Sequence, residues 1–472
     1  MAFQSTPPAT QTDHDQTRFR AEPNSKKGAD PMSATALVGG NVIDGTGREP
    51  IDDAVVLIDG ERIDAVFRRG DMEVPSGAEV VDISGSTVMP GLIDCHVHVG
   101  VLADNSFLQV EDPGSLADLF MTTLLSHGVT TVRDTGNFDP VEVFHAFKQG
   151  RDSWPRFFGA GTILDGPADP PAPWRWLAII DDEATAREET ARLIDAGMDF
   201  IKIYVWTRLP VLRAVVSEAH RRGVRVAAHV GHVVTVEEAV KVGVDALEHV
   251  RIGRELVPEE HREDLAGLPG RILDPLVGFQ PWRFIDPASD LANGLIALMA
   301  ERGTFITPTL TLSQSILAGN TPEASNPAGL DEMPAAVAEQ WSQYAYPFDY
   351  SETDWEAAPV ELRNQMAFIG RAQRSGVKVT AGTDLTNPFV VPGHSMHEEL
   401  RLLVEGCGFN PMDAIVAATS RAAELLGQSN DLGTVEKRKL ADLVILEADP
   451  LDDIRNTRRI SAVYKGGRPV AA

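Results

Sequence analysis

Cysteine is nearly absent from this chain: Cys95 and Cys407 are the two in 472 residues. Two thiols cannot build the disulfide framework of a small secreted domain, so a reducing compartment is favoured and a cytoplasmic location is expected. Long apolar runs are missing too. No stretch reaches the roughly eighteen consecutive apolar residues of a membrane-spanning helix, and no membrane partner is expected. Positive charge is in deficit, with 42 Lys and Arg against 69 Asp and Glu and a net charge of −27. A surface of that sign repels phosphate backbones, which sets nucleic acid aside as a partner. A small-molecule substrate stays open, because a metal ion locally reverses the field.

What is present suits a large barrel with a satellite: apolar residues make up 43%, enough for a full core. Residues 1–33 stand apart, rich in Thr, Ser, Gln, Pro and charge, without the apolar core of a secretory signal. They read as a disordered N-terminal extension, or as sequence upstream of a start at Met32. From residue 34 short apolar runs at 36–38, 55–59, 62–66 and 80–83 read as strands, and Asp59-Gly60 reads as a hairpin turn. The same texture returns at 441–446 and 461–464, before Gly466-Gly467. The economical reading is a small β-sandwich domain built from both chain ends, 34–89 and 431–472, with a larger domain at 90–430 inserted between them.

The middle alternates apolar runs with helical spacing, as parallel strands covered on both faces do. Strands are expected over 88–94, 130–134, 156–160, 200–205, 225–230, 245–250, 304–310 and 377–382, with helices at 183–196, 210–222 and 236–242 among the connections. Eight such units predict a closed (β/α)8 TIM barrel, an α/β fold whose chemistry sits at the C-terminal ends of the strands. The connections 251–302 and 311–373 are long enough to cover or line a site.

Those strand ends carry the chemistry. The first runs into Asp94-Cys95-His96-Val97-His98; imidazoles two residues apart on a strand share a face and can reach one metal. Cys95, between them, would point to the other face and pack. In Phe200-Ile201-Lys202-Ile203-Tyr204-Val205 a lysine lies inside an apolar strand, where burial favours its neutral amine. A neutral amine reacts with carbon dioxide to give a carbamate, whose two oxygens can bridge two metals. His229 closes the fifth strand, His249 lies near the end of the sixth, and Asp384 ends the eighth in Thr380-Ala381-Gly382-Thr383-Asp384. Singly, each has a plainer reading: a loop histidine, a salt-bridged lysine, a hydrogen-bonded core histidine, a helix-capping aspartate. Together they are metal-competent residues at one end of five strands. His96 and His98 would hold one metal and His229 and His249 the other, with carboxylated Lys202 between them. Asp384 serves as a ligand and as the general base for an activated water.

These residues resemble the amidohydrolase superfamily, from about residue 34 to 467. Further matches are Gly128-Val129-Thr130-Thr131-Val132-Arg133-Asp134, Gly393-His394-Ser395-Met396-His397-Glu398-Glu399-Leu400 and Leu432-Gly433-Thr434. They are most similar to the imidazolonepropionase-like branch, in which prolidase-like and carboxypeptidase-like members keep the lysine. The resemblance implies a binuclear centre and hydrolysis of dipeptides, N-acyl amino acids or, in some members, ochratoxin A. Prolidase-like members commonly place a tyrosine two residues after the fifth-strand histidine. Here Gly231 and His232 follow instead, so a dipeptide held in that manner is not implied. Zinc suits such a site; manganese, cobalt or iron fits the same ligands. Trp174, Arg175, Trp176, Trp206, His232 and His394 are the candidate substrate-pocket residues, suited to a planar or aromatic acid. Relatives often form homo-oligomers, and one is expected here. Ester or lactone hydrolysis on the same site is the alternative activity, and a metal-free scaffold the alternative from another class.

Overall fold

Short, mostly buried parallel strands in the middle of the chain and longer, mostly antiparallel strands from its two ends divide the molecule into a barrel and a mixed sheet. The computed structural model describes residues 34–103, 108, 110–137, 141–168, 177–230, 233–249, 254–267, 280–318, 321, 325–343 and 351–470. The expected N-terminal extension lies outside these residues.

The chain ends form one eight-stranded sheet. Its N-terminal strands are β1 (Thr35–Val42), β2 (Ile51–Asp59), β3 (Arg62–Arg68), β4 (Glu79–Asp82) and β5 (Thr87–Pro90). The hairpin expected at Asp59-Gly60 joins β2 to β3. Register shifts in β1 around Gly40 bend it, so that its first half pairs with β4 and its end pairs with β5. The small β-domain expected from both chain ends is formed by this one bent sheet, which buries Leu37, Val56, Ile58, Ile63, Val88, Leu443 and Ile445 together.

The barrel begins at β6 (Leu92–Val97) and continues through β7 (Val129–Asp134), β8 (Arg156–Gly159), β9 (Ile163–Asp165), β10 (Leu177–Ile179), β11 (Ile201–Ile203), β12 (Val226–Ala228), β13 (Ala246–Glu248), β14 (Phe305–Thr307) and β15 (Lys378–Val379). The sequence reading ran 88–94 as one strand. The structure breaks it at Gly91, where β5 leaves the mixed sheet and β6 enters the barrel. A side chain at Gly91 would lie 2.1 Å from Thr130 Oγ1, so this crossing needs glycine. β16 (Leu443–Leu446), β17 (Ile460–Lys465) and β18 (Arg468–Pro469) return to the mixed sheet, β16 pairing antiparallel with β5.

Parallel ladders join β6 to β7 to β8, and β9 to β11 through β15 in order. The gap after β8 is spanned by Asp199 N donating to Gly159 O at 3.0 Å. The ring closes where Cys95 N donates to Ala381 O (3.0 Å) and Asp384 N donates to His96 O (2.8 Å). Counting β8 with its continuation β9, eight staves surround the core, and β10 pairs on β9 outside the ring. Helices expected at 183–196, 210–222 and 236–242 are Glu183–Asp195, Leu209–Arg221 and Val236–Val242. The last carries a capping box, Thr235 with Glu238, and ends on Gly243 in the left-handed region. The two long connections hold helices Asp290–Arg302, Leu310–Leu317, Ala335–Gln343 and Glu352–Arg374. Among the described residues no helix is long and apolar enough to cross a membrane.

Candidate metal centre

The alternation of side chains along the staves places the site. Phe200, Ala227, Ala246 and Phe305 lie in one cluster with Ile93, Cys95 and Ala160, which fills the barrel interior. Two residues on from the first three stand Lys202, His229 and Glu248, pointing the same way one layer higher. All three are buried.

Two departures from regular strand geometry bring in the remaining groups. A register shift between Asp94 and Val97 breaks the alternation of β6. Cys95 therefore packs in the interior cluster rather than on the opposite face, while His96 reaches inward as well. His249 directly follows Glu248, yet a left-handed backbone (φ 64°) turns its ring inward too. Its centroid lies 4.6 Å from that of His96 and 4.5 Å from that of His229. Asp384 (φ 63°) and Thr309 (φ 48°) share this conformation. Each costs about 1–3 kcal/mol in a non-glycine residue, strain that collects at functional sites.

His96, His98 and Asp384 each offer a ligand atom, all within 4.8 Å of one another. Asp384 Oδ1 lies 3.5 Å from His96 Nε2 and 3.4 Å from His98 Nε2, and its Oδ2 is 3.5 Å from His249 Nδ1. The rings are held by further partners, for His96 and His98 through the nitrogen turned away from Asp384 and for His249 through the same Nδ1. His96 Nδ1 donates to Glu248 Oε2 (2.7 Å), His98 Nδ1 to Gly136 O (2.8 Å), and His249 Nδ1 pairs with Thr309 Oγ1 (2.7 Å). Burial keeps the first-strand rings neutral, holding His98 down to about 4 and His96 well below its usual value. A neutral imidazole offers a lone pair. His96 Nε2 is buried, makes no hydrogen bond and faces Asp384, which is how a ligand atom looks when a cation completes it. The donor set fits a divalent metal.

Lys202 sits inside the ring with no solvent contact to speak of, 1% exposed. Burial lowers its amine to about 8, with Arg133 pushing the same way against the pull of Glu248 and Asp384. The sequence reading thus placed His96, His98, Lys202, His229, His249 and Asp384 at one end of the barrel, and the structure brings them to its interior there.

It missed the groups that aim them. Glu248 bridges His96 and the buried Arg133, whose Nη1 donates to its Oε1 at 2.9 Å while the guanidinium lies over Phe200. The signal was available, since Ala246-x-Glu248 alternates in phase with Ala227-x-His229. Asp94 accepts from His96 N, Thr383 N and Thr383 Oγ1, locking the end of β6 to the segment that carries Asp384. Asp134 accepts from Gly100 N and Gly136 N, shaping the loop whose carbonyl holds His98. Tyr204 meets His229 edge-on at 4.9 Å. Glu248→Gln leaves one acceptor for two donors. We expect it to weaken metal affinity about 10–100-fold in a chelator competition, the size usual for groups that orient ligands. Unchanged affinity would remove Glu248 from that role.

Of the pocket candidates, Trp206 is half-buried on the loop after β11, its backbone N–H donating to Asp165 Oδ1 at 2.7 Å. His394 packs against His127 and Glu332. Trp174, Arg175, Trp176 and His232 lie outside the described residues.

Known proteins share this arrangement of chain. Over 93% of its length the sequence is 26% identical to ochratoxinase of Aspergillus niger, covering 87% of that protein. The crystal structure of A. niger ochratoxinase superposes with a TM-score of 0.66 at 22% identity, over 93% of this chain and 96% of that one. A Xaa-Pro dipeptidase with methionine bound in its active site superposes with a TM-score of 0.66 at 25% identity, over 93% of this chain and 100% of that one. The model of the Amidohydrolase family matches residues 87–470, which is most of the chain. The chain belongs to the amidohydrolase family, hydrolases of carbon–nitrogen bonds that generally use divalent metals.

Proposed function

We propose that this chain hydrolyses the amide bond of a small molecule, an N-acyl amino acid, a dipeptide or an ochratoxin-like aryl amide, at a binuclear centre. One observation carries the reading: His96, His98 and Asp384, from opposite ends of the barrel's strand order, meet with ligand atoms within 4.8 Å of one another. The rings of His249 and His229 continue the cluster. The relatives that act on ochratoxin and on Xaa-Pro dipeptides support the substrate class.

His96 and His98 would hold one ion, His229 and His249 the other, and Lys202 both. For that, the Lys202 nitrogen adds to the carbon of carbon dioxide and loses a proton, giving a carbamate with two oxygens. Zinc suits this nitrogen-and-carboxylate set. When bound, such ions acidify water and polarise a carbonyl. Asp384 accepts the proton of the attacking water and delivers it to the departing nitrogen, so the amine leaves neutral. Buried and fixed through its own backbone to His96, the carboxylate does this without reorganising. Trp206 offers the acyl or aryl part of the substrate a half-buried aromatic wall.

A panel of N-acyl amino acids, dipeptides, lactones and aryl esters, offered to the metal-loaded protein, tests this. Amine release is expected from the first two classes. Turnover confined to esters or lactones, or none at all, would contradict the proposal.

A further inference from the structure

A second gathering of metal-competent side chains shares no residue with the centre above. His127, Glu332 and His394 each present a ligand atom, all within 4.8 Å of one another. They come from three separate segments: the C-terminal cap of helix Pro113–Ser126, the short turn Leu330–Glu332 in the β14–β15 connection, and the first residue of helix His394–Arg401. The two imidazole rings lie 4.3 Å apart at 50°. His394 Nε2 meets Glu332 Oε1 at 3.0 Å.

Each ring is prepared for coordination. His127 Nδ1 donates to Thr123 O at 2.9 Å, which leaves the lone pair on Nε2. His394 turns its Nε2 toward Glu332, and burial and the neighbouring His127 lower its pKa. The backbone is shaped around both rings by glycine. A side chain at Gly393 (φ 71°) would stand 2.4 Å from His127 Cβ, and one at Gly329 (φ 79°) 2.2 Å from His394 Cδ2. Only glycine lets these two segments lie on the imidazoles in left-handed conformations. Arg458 approaches from one side, but its charge is engaged by Glu398 Oε2 at 3.0 Å. A cavity of about 620 Å³ opens beside His394, with Glu398 and Arg458 in its wall.

We propose that His127, Glu332 and His394 form a second metal site, a two-histidine, one-carboxylate set that takes Zn2+. Two imidazoles and one carboxylate disfavour Ca2+ and Mg2+, which prefer all-oxygen shells. Zinc–ligand distances near about 2.1 Å require the donors to draw together, and the half-exposed Glu332 side chain (49%) has the freedom to do so. The ion ties the β14–β15 connection to two helices that are remote in sequence.

Zinc binding is counted by competition with a chromogenic chelator in the full-length protein, in Glu332→Gln and in His127→Ala. Wild type is expected to hold one more tight zinc per chain than either variant, and to show the larger zinc-induced rise in Tm. Glu332→Gln alters an exposed side chain isosterically, so folding survives. Equal stoichiometry and equal Tm shifts in all three proteins would show two packed histidine rings and no metal site. The difference of one equivalent is read whatever the occupancy of the His96 centre.

Discussion

Asp384→Asn is expected to lower amide hydrolysis by about 10²–10⁴-fold, the usual contribution of a positioned proton carrier, while leaving the metal content close to that of wild type. The amide keeps the volume of the carboxyl and can offer one oxygen, so the cluster stays filled. What is lost is a group that can take a proton and give it back. The placement of the residue makes the loss large: its oxygens stand 3.4–3.5 Å from three imidazoles, and its backbone N–H is tied to His96 O. Among the described residues no neighbouring carboxylate is poised to substitute, since Glu248 is engaged by His96 and Arg133, and Asp94 by Thr383. Steady-state kinetics beside elemental analysis separate the two effects. Wild-type turnover in this variant would remove Asp384 from proton transfer.

Lys202→Ala is expected to lower metal occupancy to one ion or fewer per chain and to abolish measurable turnover. An unmodified lysine is a poor tenant of this position: it is 1% exposed, and its pKa is lowered to about 8 chiefly by burial. A carbamate replaces a disfavoured cation with an anion facing neutral imidazoles and Arg133. Since the free amine is the reactive form, and it gains on the ammonium as pH rises through about 8, metal reloading of the chelated protein should speed up from pH 6 to pH 9 and on adding bicarbonate. Two ions retained in Lys202→Ala, by elemental analysis, would remove the bridge.

How far the sequence disclosed this site follows from periodicity. Runs such as Phe200–Val205 and Arg225–Val230 betray themselves because strands buried on both faces have no polar alternation, so Lys202 and His229 stand out against them. Where both sides of a boundary are apolar strand formers the pattern is blind: Pro90-Gly91 hides a change of sheet, since β5 and β6 are equally buried. Irregular backbone is invisible in the same way. The register shift that turns Cys95 inward and the left-handed φ of His249 follow from ring closure and local packing, not from composition. Glu248 was legible through its spacing from Ala246, yet it stood beside a more conspicuous histidine. The grouping of His394 with His127 and Glu332 joins segments far apart in sequence, and no local pattern announces it.

Anomalous diffraction from crystals of the zinc-loaded protein, recorded on both sides of the zinc edge, tests the central claim most directly. Two peaks about 3.5–4 Å apart are expected inside the barrel, enclosed by His96, His98, Lys202, His229, His249 and Asp384, with continuous density beyond Lys202 Nζ, apart from any peak at His127, Glu332 and His394. A barrel interior without an anomalous peak among those six side chains would contradict it.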